Sequence, residues 1–211
     1  MKRFVTIAGN IGVGKSTLTA LLERRLGWEP FYEAVNDNPY LADFYADMER
    51  WAFHSQIFFL SRRLAHHRAI LDHPASAIQD RSVYEDAEIF ARNLYLQGKM
   101  SERDYAAYQE LYEAVRAFIP PPDLIVYLSA NVETLRTRIA HRGRDFERSI
   151  SPEYLQQLNT LYDSWLDRFD LCPILTIPTD EIDFVEDEHH LHRIANHILD
   201  RLQGRDVLSL S

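Results

Sequence analysis

The stretch Phe4-Val5-Thr6-Ile7-Ala8-Gly9-Asn10-Ile11-Gly12-Val13-Gly14-Lys15-Ser16-Thr17 decides the fold. Its first five residues form an apolar run that ends in a glycine, and Leu18, Leu21, Leu22 and Leu26 follow at helical spacing. The order is strand, loop, helix. Gly9 to Ser16 satisfies G-x-x-x-x-G-K-[ST] in full, between the strand and helix that the motif requires. Glycines let the loop curl so that successive N–H groups face phosphate oxygens, and the helix N-terminus adds positive potential. Lys15 then reaches the β- and γ-phosphates, and the Ser16 hydroxyl can hold Mg²⁺. The competing reading, a glycine-rich turn with a solvated lysine, leaves the complete pattern in its proper context unexplained.

Four further apolar runs lie near Pro30–Tyr32, Ala75–Gln79, Leu124–Leu128 and Ile174–Ile177, the last three entered through prolines. Between them the helix signals are strong. Ser82-Val83-Tyr84-Glu85 is a capping box that opens a helix to about Leu96, Asn131 caps another, and Ser151-Pro152 starts one that reaches about Phe169. Short apolar strands separated by long helices predict an α/β fold with a parallel sheet wrapped by helices. No repeat, linker or composition shift marks a boundary, so residues 1–211 read as a single domain.

The 23 Lys and Arg against 32 Asp and Glu give a net charge of −9, which opposes a nucleic-acid-coating role. Hydrophobic residues at 46% with 7 Gly and 9 Pro place the chain among ordinary globular proteins. A lone Cys172 forms no internal disulfide, and no apolar run reaches membrane-spanning length. Residues Met1 to Ala8 resemble the start of a signal peptide, but Gly9 and Lys15 interrupt it. The expectation is a cytoplasmic protein with no membrane partner.

A phosphate loop alone does not choose among switch GTPases, motor ATPases and small-molecule kinases. No Asn-Lys-x-Asp guanine-reading stretch is present. Glu33 follows the second strand at the edge where open α/β sheets bind ligands, so it can accept a hydroxyl proton; a solvated loop acid is the competing reading. Asp80 ends the third strand and suits Mg²⁺, while Arg81 can clamp a phosphate or the reacting hydroxyl. For Ser82 the capping box suffices. Arg142-Gly143-Arg144, with Glu147 following, reads as a mobile arginine lid over a triphosphate, or as a basic patch balancing nearby acids. His189, His190, His192 and His197 share no single helix face and read as solvated, not as metal ligands.

Taken together, Gly9 to Thr17, Glu33, the Trp51 to Gln56 segment, Asp80 to Asp86, Arg142-Gly143-Arg144 and Ser151 to Leu155 resemble the deoxyribonucleoside kinase family, in order from Phe4 to about Leu202. The similarity is strongest to its bacterial deoxyadenosine and deoxyguanosine kinases. It implies a P-loop kinase fold with a five-stranded parallel sheet, an arginine lid at about 142–150, ATP and Mg²⁺ as cofactors, and a homodimer, or a heterodimer with a paralogous subunit. It makes Glu33 the base at the 5'-hydroxyl and Arg81 the residue that holds that hydroxyl, with Asp80 serving Mg²⁺ and standing second as proton acceptor. Tyr45 and Glu147 would bind the sugar 3'-hydroxyl, Gln56 the base, and Arg142 and Arg144 the donor phosphates. Asp86 and Phe90, four apart, would border the nucleobase, and Asp183 and Phe184 the donor adenine. Ser55 and Asn38 depart from the family's usual aromatic residues, which leaves stacking on one face of the base open.

The alternatives are a nucleoside monophosphate kinase of the thymidylate kinase type and a regulatory P-loop NTPase. Against the first, Glu33 is a poor neighbour for a substrate's own phosphate. Tyr45, Gln56 and Arg63 share a helical stripe, yet about 1.5 Å of rise per residue separates Tyr45 from Arg63 by roughly 27 Å, more than one nucleoside spans. If all three serve one substrate, the helical stretch from Leu41 to Leu71 must break between Tyr45 and Gln56, near Met48 to Trp51. Gln56, Arg63 and Asp86 around the base favour purine deoxynucleosides, then deoxycytidine, and disfavour thymidine, whose O4 would face the Asp86 carboxylate.

Overall fold

The computed structural model describes residues 1–33, 35, 37–147 and 150–204, the Phe146 side chain apart. The elements in chain order are β1 (Phe4–Gly9), α1 (Lys15–Leu26), β2 (Glu29–Phe31), α2 (Leu41–Ala46), α3 (Met48–Asp72), β3 (Ala77–Asp80) and α4 (Val83–Glu85). A π-helical turn (Asp86–Ala91) joins α4 to α5 (Arg92–Leu96), and then come α6 (Glu102–Arg116), β4 (Leu124–Ser129), α7 (Val132–Arg142), a 3₁₀ turn (Asp145–Glu147), α8 (Pro152–Leu166), β5 (Ile174–Pro178) and α9 (Glu188–Leu202). The five strands pair in parallel in the order β2-β3-β1-β4-β5. The α/β expectation is met.

The central strands are covered on both faces, which is why they read as near-continuous apolar runs. Val5, Ile7, Val126 and Leu128 pack with Leu18, Leu22, Leu135 and Ile194 on one side. Ala8, Ile125 and Tyr127 pack with Val83, Leu158, Tyr162 and Trp165 on the other. Register then places the chemistry. Ile7 lies beside Asp80, Gly9 beside Leu128, and Phe31 beside Gln79, so Glu33, Asp80-Arg81 and the loop after Gly9 all leave the sheet at one edge.

Between Tyr45 and Gln56 the helix does break, at Asp47, just before the expected window. Asp47 has φ −147° and ψ 83°, and its side chain accepts from the Arg50 N–H to start α3 afresh. The Ser82–Glu85 capping box is present, but the helix it opens is not uniformly α-helical, because its second segment winds as the π turn. Helix α8 stops at Leu166, short of Phe169. Of the expected lid, residues 148 and 149 lie outside the described residues.

Candidate active site

Glycine is required where the phosphate loop leaves β1. Gly9 has φ +144° and an added Cβ would sit 2.5 Å from the Leu128 carbonyl oxygen; Gly12, at φ +82°, would drive one into Ile139 at 2.7 Å. Asn10 anchors the loop to α8, its side-chain amide donating to the Leu155 carbonyl at 2.9 Å and to Asn159 Oδ1 at 2.7 Å. Lys15 Nζ turns inward onto the Gly9 and Asn10 carbonyls at 3.0 and 2.9 Å. Burial, and then the Arg81 charge, lower its ammonium to about 8 against the pull of the nearby carboxylates.

The loop forms one wall of a cleft of about 970 Å³. On the acceptor side the Glu33 carboxylate accepts from Arg81 Nε at 2.8 Å and from Arg63 Nη2 at 2.9 Å through the same oxygen. Burial alone would raise that carboxyl, but the Arg81, Arg63 and Lys15 charges outweigh it and hold it at about 2. Arg81 also lies over the Phe90 ring, Cζ to centroid 4.2 Å. Asp80 takes the Ser16 hydroxyl at 2.5 Å on Oδ2, while Oδ1 is buried without a partner. Burial raises this acid, partly countered by Lys15. Four acids, Glu33, Asp80, Glu85 and Asp86, thus face three cations, Lys15, Arg63 and Arg81, in one constellation in which all but the half-buried Glu33 are buried.

Tyr45, Gln56, Asp86, Phe90, Arg142, Arg144 and Glu147 line the cleft, as do Ser16, Thr17 and the Asp183–Phe184 pair. Gln56 Oε1 is buried and unpaired. Arg63 is different. It is 2% exposed and stands behind the wall, donating to Asp86 Oδ2 at 3.1 Å, to the Asp80 carbonyl at 2.7 Å and to Glu33. Its expected contact with the base is therefore corrected: the guanidinium is spent on ordering two carboxylates. Arg142 and Arg144 meet Glu147, at 2.6 Å (Nη2) and 3.3 Å, while each remains about a third exposed toward the cleft. Glu147 itself is buried. Asp183 shapes its own loop by accepting the Val185 and Glu186 N–H groups, and the buried Phe184 ring lies under Gly14. Among the described residues no cluster of three metal-ligating side chains forms.

Phe59 and Tyr154 also line the cleft. Phe59 follows Gln56 by three residues on α3, a spacing that marks the same helix face. Tyr154 sits in the first turn of α8, and only the tertiary packing brings it to the acceptor side.

A curled phosphate loop facing an arginine-clamped carboxylate across one cleft is the arrangement of a P-loop kinase. The comparisons narrow the class. The deoxynucleoside kinase family model matches residues 5–203. The deoxyadenosine/deoxycytidine kinase of Bacillus subtilis (strain 168) is 41% identical over 196 residues, covering 92% of this chain and 90% of that protein. A deoxyguanosine kinase of Lactobacillus johnsonii is 34% identical over 94% of this chain and 92% of its own length. Among solved structures, deoxyadenosine kinase from M. mycoides with bound dATP superposes with a TM-score of 0.83 at 30% identity, over 93% of this chain and 99% of that one. This chain belongs to the deoxynucleoside kinase family. It is a deoxyribonucleoside kinase, as the resemblance of its motifs implied.

Proposed function

We propose that this kinase transfers the γ-phosphoryl group of ATP to the 5'-hydroxyl of a purine deoxyribonucleoside in nucleotide salvage, with Mg²⁺. The observation that carries the reading is the Glu33 clamp. Arg63 stands behind the cleft wall, so a monophosphate dianion would meet the Glu33 carboxylate with Arg81 alone to oppose it, while an uncharged hydroxyl can enter between Glu33 and Arg81. A carboxylate held near 2 takes the proton only late, once the new bond to phosphorus has formed, which suits a loose transition state.

Asp80 Oδ1 and the Ser16 hydroxyl form a hard-oxygen pair with an unmet acceptor, and they fit Mg²⁺. The ion would supply charge neutralisation at the phosphates. Lys15 would exchange its loop carbonyls for phosphate oxygens, and Arg142 and Arg144 would exchange Glu147 for the same group, leaving Glu147 with Tyr45 for the sugar 3'-hydroxyl. The loop at Asp183 and Phe184 would border the donor adenine. At the base, the unpaired Gln56 Oε1 asks for an N–H donor and the Asp86 carboxylate, held by Arg63 and lining the cleft, has lone pairs for a further one; the amino groups of adenine, guanine and cytosine supply such donors and the thymine O4 edge does not.

We read the assembly as a dimer of identical or paralogous subunits that would cover Leu111 and Phe118, 43% and 87% exposed, and sedimentation equilibrium tests it. No described helix is long and apolar enough to cross a membrane, and a cytoplasmic place is part of the proposal. The deciding assay incubates the protein with ATP, Mg²⁺ and equal concentrations of the four deoxynucleosides and their monophosphates. Deoxyadenosine or deoxyguanosine should be consumed fastest and thymidine slowest. Phosphorylation of monophosphates instead would move the chain to the thymidylate kinase type, and thymidine used as fast as the purines would remove the base assignment.

A further inference from the structure

Arg81 is the one described non-glycine residue with a left-handed backbone, at φ 70°. An L side chain in that region crowds its own backbone and persists only where the surroundings fix it. Here the Arg81 N–H is held by the Ile7 carbonyl at 3.0 Å and the guanidinium by Glu33, Glu85 and Tyr162, of which the last two are fully buried.

Glu85 divides its two oxygens between two tasks. Oε2 accepts from the Ser82 N–H at 2.7 Å and the Ser82 hydroxyl at 3.1 Å, which completes the capping box. Oε1 has no part in the cap. It accepts from the Gly9 N–H at 3.0 Å, from the Tyr162 hydroxyl at 2.7 Å and from Arg81 Nη1 at 3.4 Å. Tyr162 in turn receives Arg81 Nη1 at 3.0 Å and lies 2.8 Å from the Gly9 carbonyl. Both backbone groups of Gly9, where the phosphate loop begins, are therefore tied to the same two side chains that hold the guanidinium of Arg81. Helix α8, which carries Tyr162, also holds the next loop residue through Leu155 and Asn159.

We propose that Glu85 and Tyr162 are positioning residues that lock Arg81 to the phosphate loop, so that acceptor hydroxyl and donor phosphate share one rigid frame. The inference rests on the proposed placement of the hydroxyl at Glu33 and Arg81. Neither residue lines the cleft, so neither touches substrate. Their effect is on the distance and angle between the two reacting partners, to which phosphoryl transfer is sensitive because catalysis there is mostly alignment and electrostatics.

The test compares Glu85→Gln, Tyr162→Phe and Glu33→Gln in steady-state kinetics and thermal unfolding. Glutamine keeps an oxygen for Ser82 and preserves the cap, but turns an amino group toward Gly9 N–H and Arg81, which are donors themselves. Tyr162→Phe removes one hydroxyl. Each should lower kcat about 10- to 100-fold while KM for nucleoside and ATP stays within about threefold. The double variant should lose little more than the worse single one, because both break the same linkage. Both single variants turning over within about twofold of the parent, or showing raised KM at unchanged kcat, would overturn the inference if Glu33→Gln is crippled. A Glu33→Gln enzyme of near-normal rate would instead bring down the placement of the hydroxyl, and this inference with it. Should Glu85→Gln not fold, Tyr162→Phe decides alone.

Discussion

Replacing Arg63 by methionine should be among the most damaging single changes to stability in this chain. The guanidinium is 2% exposed and bonds Asp86 at 3.1 Å, Glu33 at 2.9 Å and the Asp80 carbonyl at 2.7 Å. Methionine fills much of the volume but leaves Asp86, 3% exposed, without a counter-charge. Breaking a buried pair from one side costs about 3 to 5 kcal/mol. For a chain of this size each kcal/mol lowers Tm by about 2 to 4 °C, so a fall of roughly 6 to 20 °C is expected. The sign with pH is fixed. Burial already raises the Asp86 acid in the folded protein, and without Arg63 the rise grows, so the variant's folded state takes up a proton more readily than its unfolded chain. The deficit against the parent is then largest at neutral pH and shrinks as pH falls toward the ordinary aspartate range. Adding Asp86→Ala removes the stranded charge and should recover much of the loss, while raising thymidine turnover relative to the purines. Circular dichroism melts of the three proteins between pH 5 and 8 check this. A single variant that melts within about 2 °C of the parent at pH 7, or a double variant no more stable than the single, would refute the reasoning.

Two further outcomes concern titration. His67 is 2% exposed, packs edge-on against Phe4, and is lowered by burial, so the unfolded chain takes up a proton that the folded protein resists. Stability should therefore fall as pH drops below about 6.5, and His67→Phe should flatten that fall in urea titrations at pH 5.5 and 8. Lys15 near 8 must be charged to hold a triphosphate, so ATP binding at pH 8 should take up protons and weaken as pH rises further. Calorimetry in two buffers of different ionisation enthalpy reads that uptake, and identical heats in both would contradict it.

What was legible in the sequence lay within a few residues along the chain. The central strands read as apolar runs because both sheet faces are covered there, and the capping box and the phosphate loop are local patterns. The break expected from Tyr45, Gln56 and Arg63 serving one substrate is present although Arg63 stands behind the wall, so its cause is local: the Asp47 side chain accepts from the Arg50 N–H and starts a new helix one residue before the Met48 to Trp51 window. Arg63 could be placed on the correct helical stripe, yet whether it faced ligand or protein depended on Glu33 and Asp86, 30 and 23 residues away. Glu85 enters the sequence reading only as the partner of Ser82 in the capping box, since nothing local reveals that its second oxygen meets Gly9 and Tyr162. The two positions that depart from the resemblance also meet only in space: the Asn38 amide donates to Ser55 Oγ at 3.1 Å in a buried hydrogen bond.

The central claim is that the arginine-clamped Glu33 receives the hydroxyl proton. Rapid-quench measurement of a single turnover in Glu33→Gln tests it most directly, with Asp80→Asn alongside and ATP affinity measured separately. A transfer rate lower by about 100- to 10,000-fold, with ATP affinity changed only a few-fold, is the predicted result. A near-normal rate in Glu33→Gln together with loss in Asp80→Asn would contradict it and move the proton acceptor to Asp80.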